Sequence, residues 1–137
     1  MEKITLSATF SVPGEKLYQA WLNPVHHTAM SYGGDAAIDA RIGGTHSTGD
    51  GYITGTFVEL VPGKKIVQTW RTTDFSESQP DSQVELTFGN TKDGGTFQLV
   101  HTGLPDDQIE EYRNGWIEYY LQPMTLYFGG LCSELFK

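Results

Sequence analysis

The sequence predicts an α+β fold in which a curved antiparallel β-sheet wraps around a long C-terminal α-helix, with two short helices after the first strand. Three patterns carry this expectation. The first strand alternates polar and apolar residues without interruption. The middle of the chain repeats that alternation between turn signals. The last third carries large aromatics at helical spacing.

From Lys3 to Val12 the residues Ile4, Leu6, Ala8, Phe10 and Val12 point one way, while Lys3, Thr5, Ser7, Thr9 and Ser11 point the other. This is the signature of a half-buried strand. Pro13 and Gly14 end it, and "EKLYQAWLN" places Leu17, Ala20 and Trp21 on one helical face before Pro24 stops the run. A second short helix through "PVHHTAM" would begin at Pro24, whose missing N–H costs nothing at a first helical position. The Gly-rich "YGGDAAIDARIGGTHSTGDG" leaves room for only short strands or bends.

"YITGTFVELV", the turn "PGK" and "KIVQTWRTT" read as a hairpin. After the polar loop "DFSESQPDS", "QVELTF" puts Val84, Leu86 and Phe88 on one face. Beyond "NTKDGG", "TFQLVHT" does the same with Phe97, Leu99 and His101. About five or six strands of this kind form an antiparallel meander. Pro105, with Asp106, Asp107, Glu110 and Glu111 behind it, marks a helix start, because acidic side chains favour the positive end of the helix dipole.

The final helix, "EEYRNGWIEYYLQPMTLYF", contains Gly115 and Pro123, which cost roughly 1 and 3 kcal/mol relative to Ala in a helix interior. Its stripe of Ile109, Tyr112, Trp116, Tyr119 or Tyr120, and Tyr127 offsets this, since each large buried side chain contributes about 1.5–3 kcal/mol. Gly115 is expected to admit a close neighbour and Pro123 to bend the helix over the surface it covers. Gly129 and Gly130 are a natural stop, so residues 129–137 are expected to form a flexible tail on a single domain.

Composition narrows the partners. Nine Lys and Arg against seventeen Asp and Glu give a net charge of −8, which disfavours a nucleic-acid ligand. No apolar run reaches the length of a membrane span, and the amino terminus lacks a secretory signal pattern. Cys132 is the single cysteine, so no internal disulfide can form, and a cytoplasmic location is expected.

Together "AWLNPVHH", "GGDAAIDARIGG", "DGYITGTFVELVPGKKIVQTWR", "PDSQVELTF" and "HTGLPDDQIEEYRNGWIEYYLQPM" resemble the activator of heat-shock protein 90 ATPase homologue-like family, within the START-like, Bet v 1-like (SRPBCC) superfamily. The resemblance runs from about Thr9 to Phe128. It implies the helix-grip fold, which matches the element order read from the residues. It also implies two roles: a carrier of small molecules, as in much of the superfamily, or a partner of a heat-shock protein 90 chaperone, as in co-chaperones of which this domain resembles the carboxy-terminal half.

The expected binding site is a cavity between sheet and helix for a small hydrophobic or aromatic molecule. Its candidate lining is Trp21, Met30, Tyr52, Trp70, Phe88, Leu99, His101, Tyr112, Trp116, Tyr119, Tyr120 and Met124. The same aromatics fit plain core packing equally well, although Tyr and Trp carry polar groups that want partners when buried. His101 shares the inner face with Phe97 and Leu99. It reads first as a satisfied core histidine and second as an acid–base group of an enzyme, with Glu118 as its conceivable partner. His26 and His27 are adjacent and point about 100° apart on a helix, so they cannot chelate one ion as an i, i+4 pair and read as solvent-facing. Asp39 with Arg41, and Arg71 with Asp74, read as rim ion pairs. No nucleophile, phosphate-loop, zinc or dinucleotide motif is visible, so no catalytic residue, metal or cofactor is assigned.

Overall fold

The computed structural model describes residues 3–31 and 34–131. Strand β1 (Ile4–Phe10) leads into helices α1 (Gly14–Leu22) and α2 (Pro24–Ala29). Six strands follow: β2 (Ala37–Ile38), β3 (Thr45–Thr48), β4 (Ile53–Val61), β5 (Lys65–Thr72), β6 (Ser82–Thr91) and β7 (Gly94–Thr102). The chain closes with α3 (Ile109–Trp116), α4 (Gln122–Phe128) and a two-residue strand β8 (Gly130–Leu131). The strands form one antiparallel sheet in the order β2-β3-β4-β5-β6-β7-β1-β8. This is the helix-grip arrangement that the element order predicts.

Alternation sets the buried face. Ile4, Leu6, Ala8 and Phe10 of β1 are buried, as are Val84, Leu86 and Phe88 of β6 and Phe97, Leu99 and His101 of β7. Register then stacks them: Leu6 and Leu86 both pair with Leu99, and Ile4 and Val84 both pair with His101. The "PGK" turn joins β4 to β5 as expected, with the Lys64 N–H donating to the Val61 carbonyl at 2.9 Å and Gly63 at a φ of 73°. Within β4 the register slips between Phe57 and Glu59, so Val58 is an extra residue that bends the strand.

Helix α1 lies against the β6–β7 hairpin. A Cβ on Gly14 would sit 2.3 Å from the Gly89 carbonyl oxygen, so only glycine allows this approach. Asn23 caps α2 by accepting from the Val25 and His26 N–H groups, with Pro24 at the first helical position. His27 departs from the expectation for this helix. It is buried, because the short helix turns that side inward onto Trp21 and Tyr120.

The C-terminal helix is continuous but not uniform. Pro105 precedes a 3₁₀ turn at Asp106–Gln108, then α3 begins, and a π-helical turn at Ile117–Leu121 separates α3 from α4. The Gln122 N–H reaches back five residues to the Ile117 carbonyl. In an α-helix the Pro123 ring would strike the carbonyl four residues earlier, and the wider turn relieves that conflict. The extra residue also changes which side chains face inward. Trp116, Tyr120 and Met124 are buried, while Tyr119 is 50% exposed and Tyr127 is 42% exposed, contrary to the expected place of Tyr127 in the stripe.

Two further expectations are corrected. Gly115 does not admit a close neighbour: a Cβ there would meet only Tyr119, at 3.9 Å. Gly129, at a φ of 77°, does end the helix, but Gly130 and Leu131 pair with β1, so the tail does not begin to fray at that point. Cys132 and the rest of the tail lie outside the described residues. No helix among the described residues is long and apolar enough to cross a membrane.

These two glycines should respond oppositely to alanine. Gly14→Ala forces backbone apart and should lower unfolding free energy by about 1–3 kcal/mol. Gly115→Ala, at a helical site with room, should raise it by about 0.5–1 kcal/mol. Urea denaturation of both variants with unchanged m-values checks the pair; equal effects would show that the contact at Gly14 is not the constraint.

Candidate functional site

The helix is seated on the sheet through Trp116. Its indole Nε1–H donates to His101 Nδ1 at 3.0 Å, and Nδ1 must therefore be unprotonated. The ring proton then resides on Nε2, which donates to Ser82 Oγ at 2.8 Å, and Ser82 in turn donates to the Trp70 carbonyl at 2.6 Å. Every donor in this chain has an acceptor. Burial drives the His101 pKa down to about 3, so the ring is neutral. His101 faces inward as the alternation predicts, fully buried with both nitrogens engaged. Glu118, its conceivable acid–base partner, is exposed, while both ring nitrogens of His101 are engaged by Trp116 and Ser82.

A second polar chain lies beside the first. The Tyr120 hydroxyl donates to His27 Nε2 at 2.8 Å, and His27 Nδ1–H donates to the Trp21 carbonyl at 2.8 Å. Trp21 Nε1–H donates to Gln68 Oε1 at 3.1 Å. Burial lowers the His27 pKa to about 4, with nearby His46 also opposing its charge, and pushes the Tyr120 hydroxyl up to about 12. Burial also lowers His46, which donates through Nε2 to the Thr69 carbonyl.

Around these chains the aromatic rings fill the interior. Trp116 stacks on Trp21 with centroids 6.2 Å apart and meets Tyr120 at 4.9 Å and Trp70 at 5.9 Å. Trp70 packs edge-on against His101 and Tyr112. The space left over is a cleft of about 670 Å³ at one edge, between the C-terminal helix and the β3–β4 hairpin.

Six of the twelve residues expected to line a cavity do line this cleft: Tyr52, Trp70, Tyr112, Trp116, Tyr119 and Tyr120. The other six do not reach it. Trp21, Met30, Phe88, Leu99, His101 and Met124 are buried behind it in the packed core, because the inner face of the sheet meets the helix directly there. Thr48, Gly49, Ile53, Glu111, Asn114, Gly115 and Glu118 complete the lining and were not foreseen. Of these, Gly115 carried a signal as a helix-interior glycine expected to admit a close neighbour, and Glu118 as the conceivable partner of His101.

The wall has polar features. The Tyr52 hydroxyl donates to Asp74 at 2.6 Å, and burial followed by this bond raises its pKa. Arg71, expected to pair with Asp74, instead pairs with Asp81 at 2.7 Å and caps two loop carbonyls, since its strand position points it at the β5–β6 loop. Asp39 and Arg41 do pair, at 2.8 Å on the surface. The Thr48 hydroxyl lies beside the Tyr120 oxygen and tempers its shift, but the geometry falls short of a hydrogen bond, and Thr48 Oγ1 is buried with no partner. No cluster of three or more His, Cys, Asp or Glu side chains suited to a metal occurs among the described residues.

A curved sheet gripping a C-terminal helix, with an aromatic cleft at their edge, defines a helix-grip protein. Residues 11–129 match the family described as Activator of Hsp90 ATPase homolog 1-like protein, and the chain belongs to that family. The mouse "Activator of 90 kDa heat shock protein ATPase homolog 1" is 32% identical over 127 residues, a match that covers 93% of this chain and 37% of the mouse protein. The chain thus spans between 21% and 37% of the length of the curated relatives it matches. An HSP90 activator from Plasmodium falciparum superposes with a TM-score of 0.86 at 27% identity, covering 96% of this chain and 99% of that one. A protein from Chromobacterium violaceum superposes with a TM-score of 0.76 at 26% identity, over 94% and 98% of the two chains.

The buried histidines make stability depend on pH. In the unfolded chain they take up protons below about pH 6.5, whereas the folded chain holds His27 neutral to about 4 and His101 to about 3. Stability is therefore fully present above pH 6.5 and falls as pH falls, by up to about 1.4 kcal/mol per pH unit for each histidine. The urea midpoint should be level above pH 7 and drop steeply from pH 6 to pH 4. A midpoint that stays level down to pH 4 would show that these rings charge in the folded state.

Proposed function

We propose that this chain is a co-chaperone module that binds an Hsp90 chaperone through its outer surface. The observation that carries this reading is the likeness to the Plasmodium falciparum HSP90 activator over 96% of this chain and 99% of that one, joined to membership of the activator family. The packing agrees with it. The rings of Trp21, Trp70, Trp116 and Tyr120 pack against one another between sheet and helix, and the cleft that Trp70, Trp116 and Tyr120 border lies at the edge. Function then falls to surfaces and to the open edge. The test is calorimetric titration of the chain into the Hsp90 of its own organism, with and without ATP, together with the ATPase rate. Saturable binding with a raised rate is expected, and no association in either nucleotide state would overturn the reading.

A second reading is favoured by the cleft itself. A volume of about 670 Å³ with mainly aromatic walls suits a small hydrophobic or aromatic molecule with one or two polar groups. The unpartnered Thr48 hydroxyl is a polar group that such a ligand would satisfy. Amide correlation spectra recorded with a pool of small aromatics should show saturable shifts at Tyr52, Gly115 and Tyr119, and Tyr119→Ala should weaken them several-fold. Shifts confined to residues away from the cleft would remove this reading.

A further inference from the structure

The chemistry of the cleft wall specifies the charge of what it holds. Glu111 and Glu118 stand on its helix side, and no Lys, Arg or His side chain lines it among the described residues. Asp74 adds a third carboxylate behind the Tyr52 hydroxyl. Arg71, the cation nearest in sequence to Trp70, is spent on Asp81 and the β5–β6 loop. Arg113 on the helix turns to Glu110. A cleft lined by one sign of charge between low-dielectric walls concentrates the field of its carboxylates.

Hydrogen-bond bookkeeping points the same way. Tyr52 donates its proton to Asp74, Tyr120 donates to His27, and Trp116 donates to His101. What the half-exposed Tyr52 hydroxyl still offers the cleft is lone pairs. With the carboxylates of Glu111 and Glu118, they make a wall rich in acceptors, to which Asn114 adds an amide and Thr48 an unpartnered hydroxyl. The rings of Trp70, Tyr112 and Tyr119 supply negative π-faces around the same space. A cation held against such faces gains roughly two- to thirtyfold in affinity as the site becomes desolvated.

We propose that the cleft takes a small organic cation, an ammonium group carried on an aromatic or aliphatic body. The body lies against the aromatic wall, and the N–H donors face Glu111, Glu118 and the hydroxyls. This deepens the second reading of the cleft and rests on it. An anionic or acceptor-only ligand of the same size meets repulsion and finds few donors.

The test is a series with one body and three head groups: 3-phenylpropylammonium, 3-phenylpropan-1-ol and 3-phenylpropionate. Each is titrated into the chain at low salt and followed by the amide signals of Tyr52, Gly115 and Tyr119 and by tryptophan fluorescence. The ammonium should bind at least about fivefold tighter than the alcohol, and the carboxylate weakest, with the gap narrowing as sodium chloride is added. Glu118→Gln and Glu111→Gln, both exposed positions, should each weaken the ammonium about two- to fivefold and leave the alcohol unchanged. An alcohol or carboxylate that binds as tightly as the ammonium overturns the charge assignment while the cleft remains a ligand site. A preference for the ammonium that survives both Glu→Gln changes places the cation elsewhere and also overturns it. If none of the three compounds shifts the cleft signals, the ligand-site reading and this proposal fall together.

Discussion

The hydrogen bond from Trp116 to His101 is the contact on which the rest of the arrangement depends. It joins the centre of the C-terminal helix to the inner face of β7, and its direction determines the tautomer of the histidine. That tautomer determines the orientation of Ser82, which closes the chain on the Trp70 carbonyl. A buried donor left without its acceptor costs about 1–3 kcal/mol, so the chain holds the helix to one rotation and one depth. Trp21, Trp70 and Tyr120 then pack against Trp116 from three sides. A greasy interface alone would tolerate sliding. The directional bonds do not.

This seating has a consequence for where binding can occur. The helix lies so close to the sheet at Trp116 that the middle of the fold is filled with rings. A cleft survives at the edge, where the β3–β4 hairpin faces the stretch from Glu111 to Tyr120. The π-helical turn shapes that edge. By inserting one residue ahead of Pro123, it sends Tyr120 inward to His27 and leaves Tyr119 outward on the lip of the cleft. The apparent faults of the helix thus act on geometry more than on stability: Pro123 sets the turn, and Gly115 leaves the cleft wall low.

Family membership and the cleft bear on different surfaces. The proposed Hsp90 contacts would use the outside of the fold, whereas the aromatic, acidic cleft is a recess of about 670 Å³. Nothing in the geometry makes these exclusive, since the cleft opens beside an exposed helix face that carries Glu111, Asn114 and Glu118. A ligand in the cleft would touch Gly115 and Tyr119 on that face and so sit next to any partner docked there.

Element order, hairpin turns and the inward row of Phe97, Leu99 and His101 were legible in the sequence, because alternation with period two is local and antiparallel pairing follows from short turns. The helix was legible as a helix, and its stripe was read correctly as far as Tyr120. Beyond that point the extra residue of the π-helical turn shifted the register, so Tyr127 went outward to meet His26. His27 looked like a solvent-facing residue. Its burial depends on Tyr120, which lies ninety-three positions away. Arg71 chose Asp81 over Asp74 for a similar reason, since the path of a loop decided the reach. The chain by itself thus determined which strand side chains face the interior. Which of them border empty space, and which hydrogen-bond each other, was decided only when two aromatic surfaces met, because voids and directional bonds are properties of the fit between distant segments.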